Sequence, residues 1–110
     1  MSRSFLTGSR VYGTPRPDSD VDLVVLMESE EIQALALLAD SNKDVSSGAS
    51  RAVYDSGSCL RFGRLNLIAH WDRDVFDAWR AATEELAKAK PVTREHAIEA
   101  IKARIAKAVS

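Results

Sequence analysis

Seven consecutive residues, Val21 to Met27, constrain this chain more than any other feature. Apart from Asp22 the run is apolar and rich in β-branched valine, the composition of a strand at the centre of a sheet, buried on both faces. No apolar run in the chain approaches the ~18 residues that a membrane span needs. A central strand needs flanking strands and covering helices, and the remaining segments supply candidates for both.

Phe5-Leu6-Thr7 predicts a short strand ended by Gly8, followed by a brief helix from Ser9 to Gly13. Thr14 to Ser19 is a loop marked by two prolines. After the central strand, Glu28-Ser29-Glu30-Glu31 opens a helix with acidic residues at its positive end, and Ile32, Leu35 and Leu38 keep helical spacing. Asp40 to Gly48 is rich in turn residues. A hairpin is expected next, with Arg51 to Tyr54 as one arm, Asp55 to Ser58 as the turn, and Cys59 to Trp71 as a longer arm bent at Gly63. Asp72 or Asp74 then caps a helix carrying Val75, Phe76, Trp79, Ala82 and Leu86 at helical spacing. Pro91 ends it, and Thr93 caps a last helix striped by Ala97, Ile98, Ile101, Ile105 and Val109. This order implies an α/β fold: a small mixed sheet, helices mainly on one face, and a C-terminal helical pair, all in a single domain over residues 1–110.

Composition narrows the function. With 110 residues, 45% apolar and 28% charged, the chain has the balance of an ordinary soluble domain. A net charge of -1 gives no global pull toward nucleic acid or an acidic membrane, so any attraction for phosphate must be local. The single cysteine, Cys59, and an N-terminus without a secretory pattern make the cytoplasm the expected setting.

The local feature is Gly8-Ser9, ten intervening residues, then Asp20-Val21-Asp22. A glycine at a strand end lets a phosphate approach the backbone, and Ser9 adds a hydroxyl and an N–H at a helix start. Asp20 and Asp22 alternate along a strand, so both carboxylates leave one face. Two like charges that close repel, and a divalent cation relieves them. Magnesium suits the pair, because it takes oxygen ligands and pairs one or two carboxylates with substrate phosphates.

The whole run from Gly8 through Gly13, Pro17-Asp18-Ser19 and Asp20 to Leu23 resembles the signature of the DNA polymerase beta-like nucleotidyltransferase superfamily. It is most similar to the small stand-alone members, the minimal nucleotidyltransferases. The resemblance implies that Gly8 and Ser9 bind a triphosphate, that Asp20 and Asp22 bind Mg2+, and that the sheet is of that family's type. Arg10 and Arg16 are candidate nucleotide contacts. The family usually adds a third carboxylate on a later strand, but the polar residue in the matching run Arg64 to His70 is Asn66, which is neutral and cannot act as a base. Asp55 and Asp72 are alternative carboxylates, and Arg61 and Arg64 flank Asn66 as steering or edge-protecting charges.

The expected activity is therefore magnesium-dependent transfer of a nucleoside monophosphate from an NTP to a hydroxyl. Asp20, Asp22 and Asn66 would form the catalytic set. The acceptor is a protein, a nucleic acid end or a small molecule, with no membrane partner and with a homodimer as a further expectation. The alternative is a nucleotide-binding or regulatory module with weakened catalysis, linked to a toxin–antitoxin pair or another partner protein.

Overall fold

The computed structural model describes residues 3–41, 45–49 and 58–109. Five strands form one sheet: β1 (Ser4–Thr7), β2 (Val21–Leu26), β3 (Val45–Ala49), β4 (Ser58–Phe62) and β5 (Leu65–His70), in the order β1-β2-β5-β4-β3. Only β2 and β5 run parallel; the other neighbours are antiparallel, so the sheet is mixed. The helices are α1 (Ser9–Tyr12), α2 (Ser29–Ser41), α3 (Arg73–Lys88) and α4 (Arg94–Val109). The expected α/β class, mixed sheet and C-terminal helical pair are all present.

The sheet is covered mainly on one face. Val24 of β2 and Ile68 of β5 join Val75, Phe76, Trp79, Ala82 and Leu86 of α3 and Ala97, Ile101 and Ile105 of α4 in one buried cluster. Phe5 of β1 meets this cluster edge-on, with ring centroids 5.1 Å from Phe76 and 6.5 Å from Trp79. On the central strand Val24 is fully buried, whereas Leu23 and Val25 on the opposite face are only half-buried. The expectation of a strand buried on both faces is corrected accordingly: β2 is central because β1 and β5 flank it, not because helices cover both its sides.

The hairpin also differs from expectation. Cys59 to Trp71 is not one bent arm but two strands, β4 and β5, that reverse through Gly63-Arg64 with Phe62 paired to Leu65. Gly63 has φ +61°, the left-handed conformation that a two-residue hairpin with glycine first demands. The strand that pairs with β4 is Val45–Ala49, and all of it but Ala49 falls in the stretch Asp40 to Gly48 read as turn-rich. Arg51 to Tyr54, read as the first arm, lies outside the described residues.

The predicted caps hold. The Asp72 side chain accepts from the Asp74 and Val75 amides (2.8 and 3.4 Å), and Thr93 Oγ1 accepts from the His96 amide (3.2 Å). Between α3 and α4 the Val92 amide donates to the Tyr12 carbonyl (2.6 Å), which ties the start of α4 to the end of α1. Trp71 is 46% exposed and stacks on the buried His70.

Candidate active site

Strand register builds the site. Thr7 pairs with Asp22, Asp22 with Asn66, and Asn66 with Arg61, so one row of polar side chains crosses β1, β2, β5 and β4. Two residues further into the sheet the corresponding row is Phe5, Val24 and Ile68, part of the apolar cluster and its surroundings. Strand alternation puts both rows on the face covered by α3 and α4. The polar row therefore lies at the rim of the core.

Gly8 follows β1 directly and opens α1. Its φ of +84° is one that L side chains rarely adopt, and a Cβ there would overlap Asp22 Oδ2 and come within 3.0 Å of Asp22 Cγ. The absence of a side chain at Gly8 is thus what lets the Asp22 carboxylate lie against the β1–α1 turn. Asn66 Nδ2 donates to Asp22 Oδ1 at 3.0 Å. Burial raises the Asp22 carboxyl pKa above its usual value; the Asn66 bond opposes this, the nearby Asp20 charge adds to it, and Arg61 and Arg94 pull it back down. Asp20 is more open and forms an ion pair with Arg61, whose guanidinium nitrogens stand 2.6 and 3.4 Å from the carboxylate oxygens.

These residues line one cleft of about 790 Å³, within the size range of ligand sites. Gly8, Ser9, Asp20, Asp22 and Asn66 lie on its polar side with Arg61. The opposite wall comes from Trp79 of α3, from Pro91 to Arg94, and from Ile98 and Ile101 of α4. The Trp79 indole N–H is buried and has no hydrogen-bond partner among the described residues.

Arg10 and Arg16 do not line the cleft. The Arg10 guanidinium donates to the Ser19 and Pro17 carbonyls (2.8 and 3.3 Å), and Arg64 donates to the Pro17 carbonyl (3.0 Å). Both straps hold the proline loop that delivers Asp20. Asp72 is committed to its helix cap, and Asp55 lies outside the described residues. Arg94 was legible only as one charge in the alternating surface of α4; the α3–α4 turn is what carries it to the cleft. No local signal marks it.

A divalent cation fits the donor set. Two carboxylates enter the cleft, Asp22 from β2 and Asp20 from the loop just before it, and burial and the neighbouring charge destabilise the charged form of Asp22, a strain that a cation would relieve. Among the described residues no cluster of three or more His, Cys, Asp or Glu side chains could hold a metal ion.

The family model for the nucleotidyltransferase domain matches residues 2–102, nearly the whole chain. This chain belongs to the nucleotidyltransferase domain family. The match agrees with the resemblance to the polymerase beta-like superfamily, and the domain is one that moves a nucleoside monophosphate from an NTP. No curated protein and no solved structure matches the chain significantly. Among the described residues of this nucleotidyltransferase domain, no helix is long and apolar enough to cross a membrane.

Proposed function

We propose that residues 1–110 act as one magnesium-dependent nucleotidyltransferase domain that transfers a nucleoside monophosphate from an NTP to a hydroxyl acceptor. The observation that carries this reading is the meeting of the side-chain-free Gly8 turn with Asp22 and Asp20 in a single cleft. Gly8 and Ser9 receive the β- and γ-phosphates at the open backbone of the turn. Asp20 and Asp22 are the ligands for the ion, and Asn66 holds Asp22 in orientation through the 3.0 Å bond. Magnesium bound there would neutralise charge on the leaving pyrophosphate and help align the acceptor. In the transfer the acceptor oxygen bonds to the α-phosphorus as the bond to the β-phosphate oxygen breaks, and pyrophosphate leaves. Among the described cleft residues only Asp20 and Asp22 can take the hydroxyl proton, since Asn66 is neutral and Tyr12 is held protonated by burial.

Asn66 also supports a second reading, a nucleotide-binding module in which transfer is weak. The two are separated by measuring pyrophosphate release and Mg2+-dependent NTP binding on the same protein. Release that falls in Asp22→Asn by at least the roughly 10–100-fold that loss of even an outer-shell partner of a metal costs supports the enzyme. Binding without release under any acceptor supports the module. Turnover unchanged in Asp22→Asn would overturn the site.

A further inference from the structure

The sheet register places a permanent cation among the acidic groups of the cleft. Arg61 stands opposite Asn66 on the neighbouring strand and reaches across to Asp20 at 2.6 Å. Its side chain remains half exposed, which leaves the guanidinium room to move. It occupies the carboxylate that an incoming ion would need. The charges have a simple balance: Asp20 and Asp22 carry two negative charges, which one divalent ion neutralises. A second ion a few ångströms from the first would face mutual repulsion with no further carboxylate among the described residues to offset it. The phosphate tail of a nucleotide would then keep its own charge, and the released guanidinium would face it in the same cleft. A guanidinium is suited to this, because its planar donors match phosphate oxygens two at a time.

We propose that this chain holds a single divalent ion and that Arg61 is its second cation, leaving Asp20 when the ion binds and moving onto the triphosphate. This rests on the nucleotide site described above and adds the number of ions and the role of Arg61. It makes Arg61 a competitor of the metal in the empty cleft and an ally of it in the loaded one, so a single substitution should change the two affinities in opposite directions.

The test uses the full chain with Mn2+ and inorganic tripolyphosphate, which avoids any base preference. Bound Mn2+ is counted by electron paramagnetic resonance. The wild type should bind one Mn2+ per chain with tripolyphosphate. Arg61→Gln should bind Mn2+ alone roughly two- to fivefold more tightly, the range set by losing an exposed ion pair. The same variant should bind tripolyphosphate in Mn2+ about tenfold or more weakly. Arg61→Lys should recover part of that loss. Two ions per wild-type chain would overturn the proposal, as would tripolyphosphate affinity unaltered in Arg61→Gln. If the wild type binds no Mn2+–tripolyphosphate at all, the nucleotide site itself falls, a result distinct from either.

Discussion

Gly8 carries two constraints at once, a left-handed backbone and a space that the Asp22 carboxylate fills. Gly8→Ala is therefore expected to cost about 2 kcal/mol or more, combining the penalty for a positive φ with displacement of Asp22. Denaturant unfolding measures the stability, and Mg2+-dependent NTP binding in the same variant should weaken with it. A stability within error of wild type would show that the turn can relax. Asp22 gives the opposite pairing of stability and function. Its folded pKa is raised, so the folded state holds its proton to higher pH than the unfolded chain, whose carboxyl titrates near 3.8. Stability is thus lost as pH rises from that value through the folded pKa, and the loss persists at neutral pH. Asp22→Asn removes the charge and should melt at a higher temperature than wild type at pH 7 without metal while losing transfer. A lower melting temperature would contradict the burial cost assigned to this carboxylate. Gly8, Ser9, Asp20 and Asp22 were legible in the sequence because they lie close together along the chain. Arg61 was legible only as a steering or edge-protecting charge beside Asn66, and Arg94 not as part of the site, because what brings them to the cleft is strand register and a helix turn, neither of which leaves a local pattern.

At the scale of elements, the strands that form the site were easier to read than those that extend the sheet. β1, β2 and the helices α3 and α4 follow from apolar run length, helical spacing and capping residues. The division at Gly63 was harder, since an isolated glycine in a strand pattern fits a bulge as well as a turn. β3 carries Ser46, Ser47 and Gly48, residues that favour turns, and pairing with β4 overrides that preference. The β5–α3 junction has its own pH dependence. His70 is buried, accepts the Asp72 amide at Nδ1 (3.0 Å), and has a pKa lowered by desolvation, partly offset by the Asp72 charge. The folded state therefore takes up a proton later than the unfolded chain as pH falls, and stability declines below about 6.5. Melting temperatures measured from pH 8 to pH 5 should fall through this window. His70→Asn, which keeps an acceptor near the Nδ1 position and removes the titration, should flatten the slope. An equal slope in the variant would assign the acid sensitivity elsewhere.

The whole molecule joins its two ends at the cleft: the β1–α1 turn and β2 on one side, α3 and α4 on the other. A ligand that spans these walls binds the folded state alone and must raise its stability. At a hundred times its dissociation constant, an NTP with Mg2+ should add about 2.7 kcal/mol, a shift of roughly 10 °C in a domain this size. Thermal melting with each of the four NTPs reads this directly and reports base preference at the same time. No shift with any of them would count against occupancy of the cleft.

The 2.6 Å bond from the Val92 amide to the Tyr12 carbonyl has a further consequence for this arrangement. It is the backbone bond that fastens the turn before α4 to the short helix after Gly8, and α4 brings Arg94, Ile98 and Ile101 to the far wall. Asp22 belongs to β2 and Asp20 to the loop just before it, so neither carboxylate is carried by α4. The protein thus has a latch and a hearth as separate parts: lifting α4 would unroof the cleft and let water in, while every residue that could hold the ion remained in place.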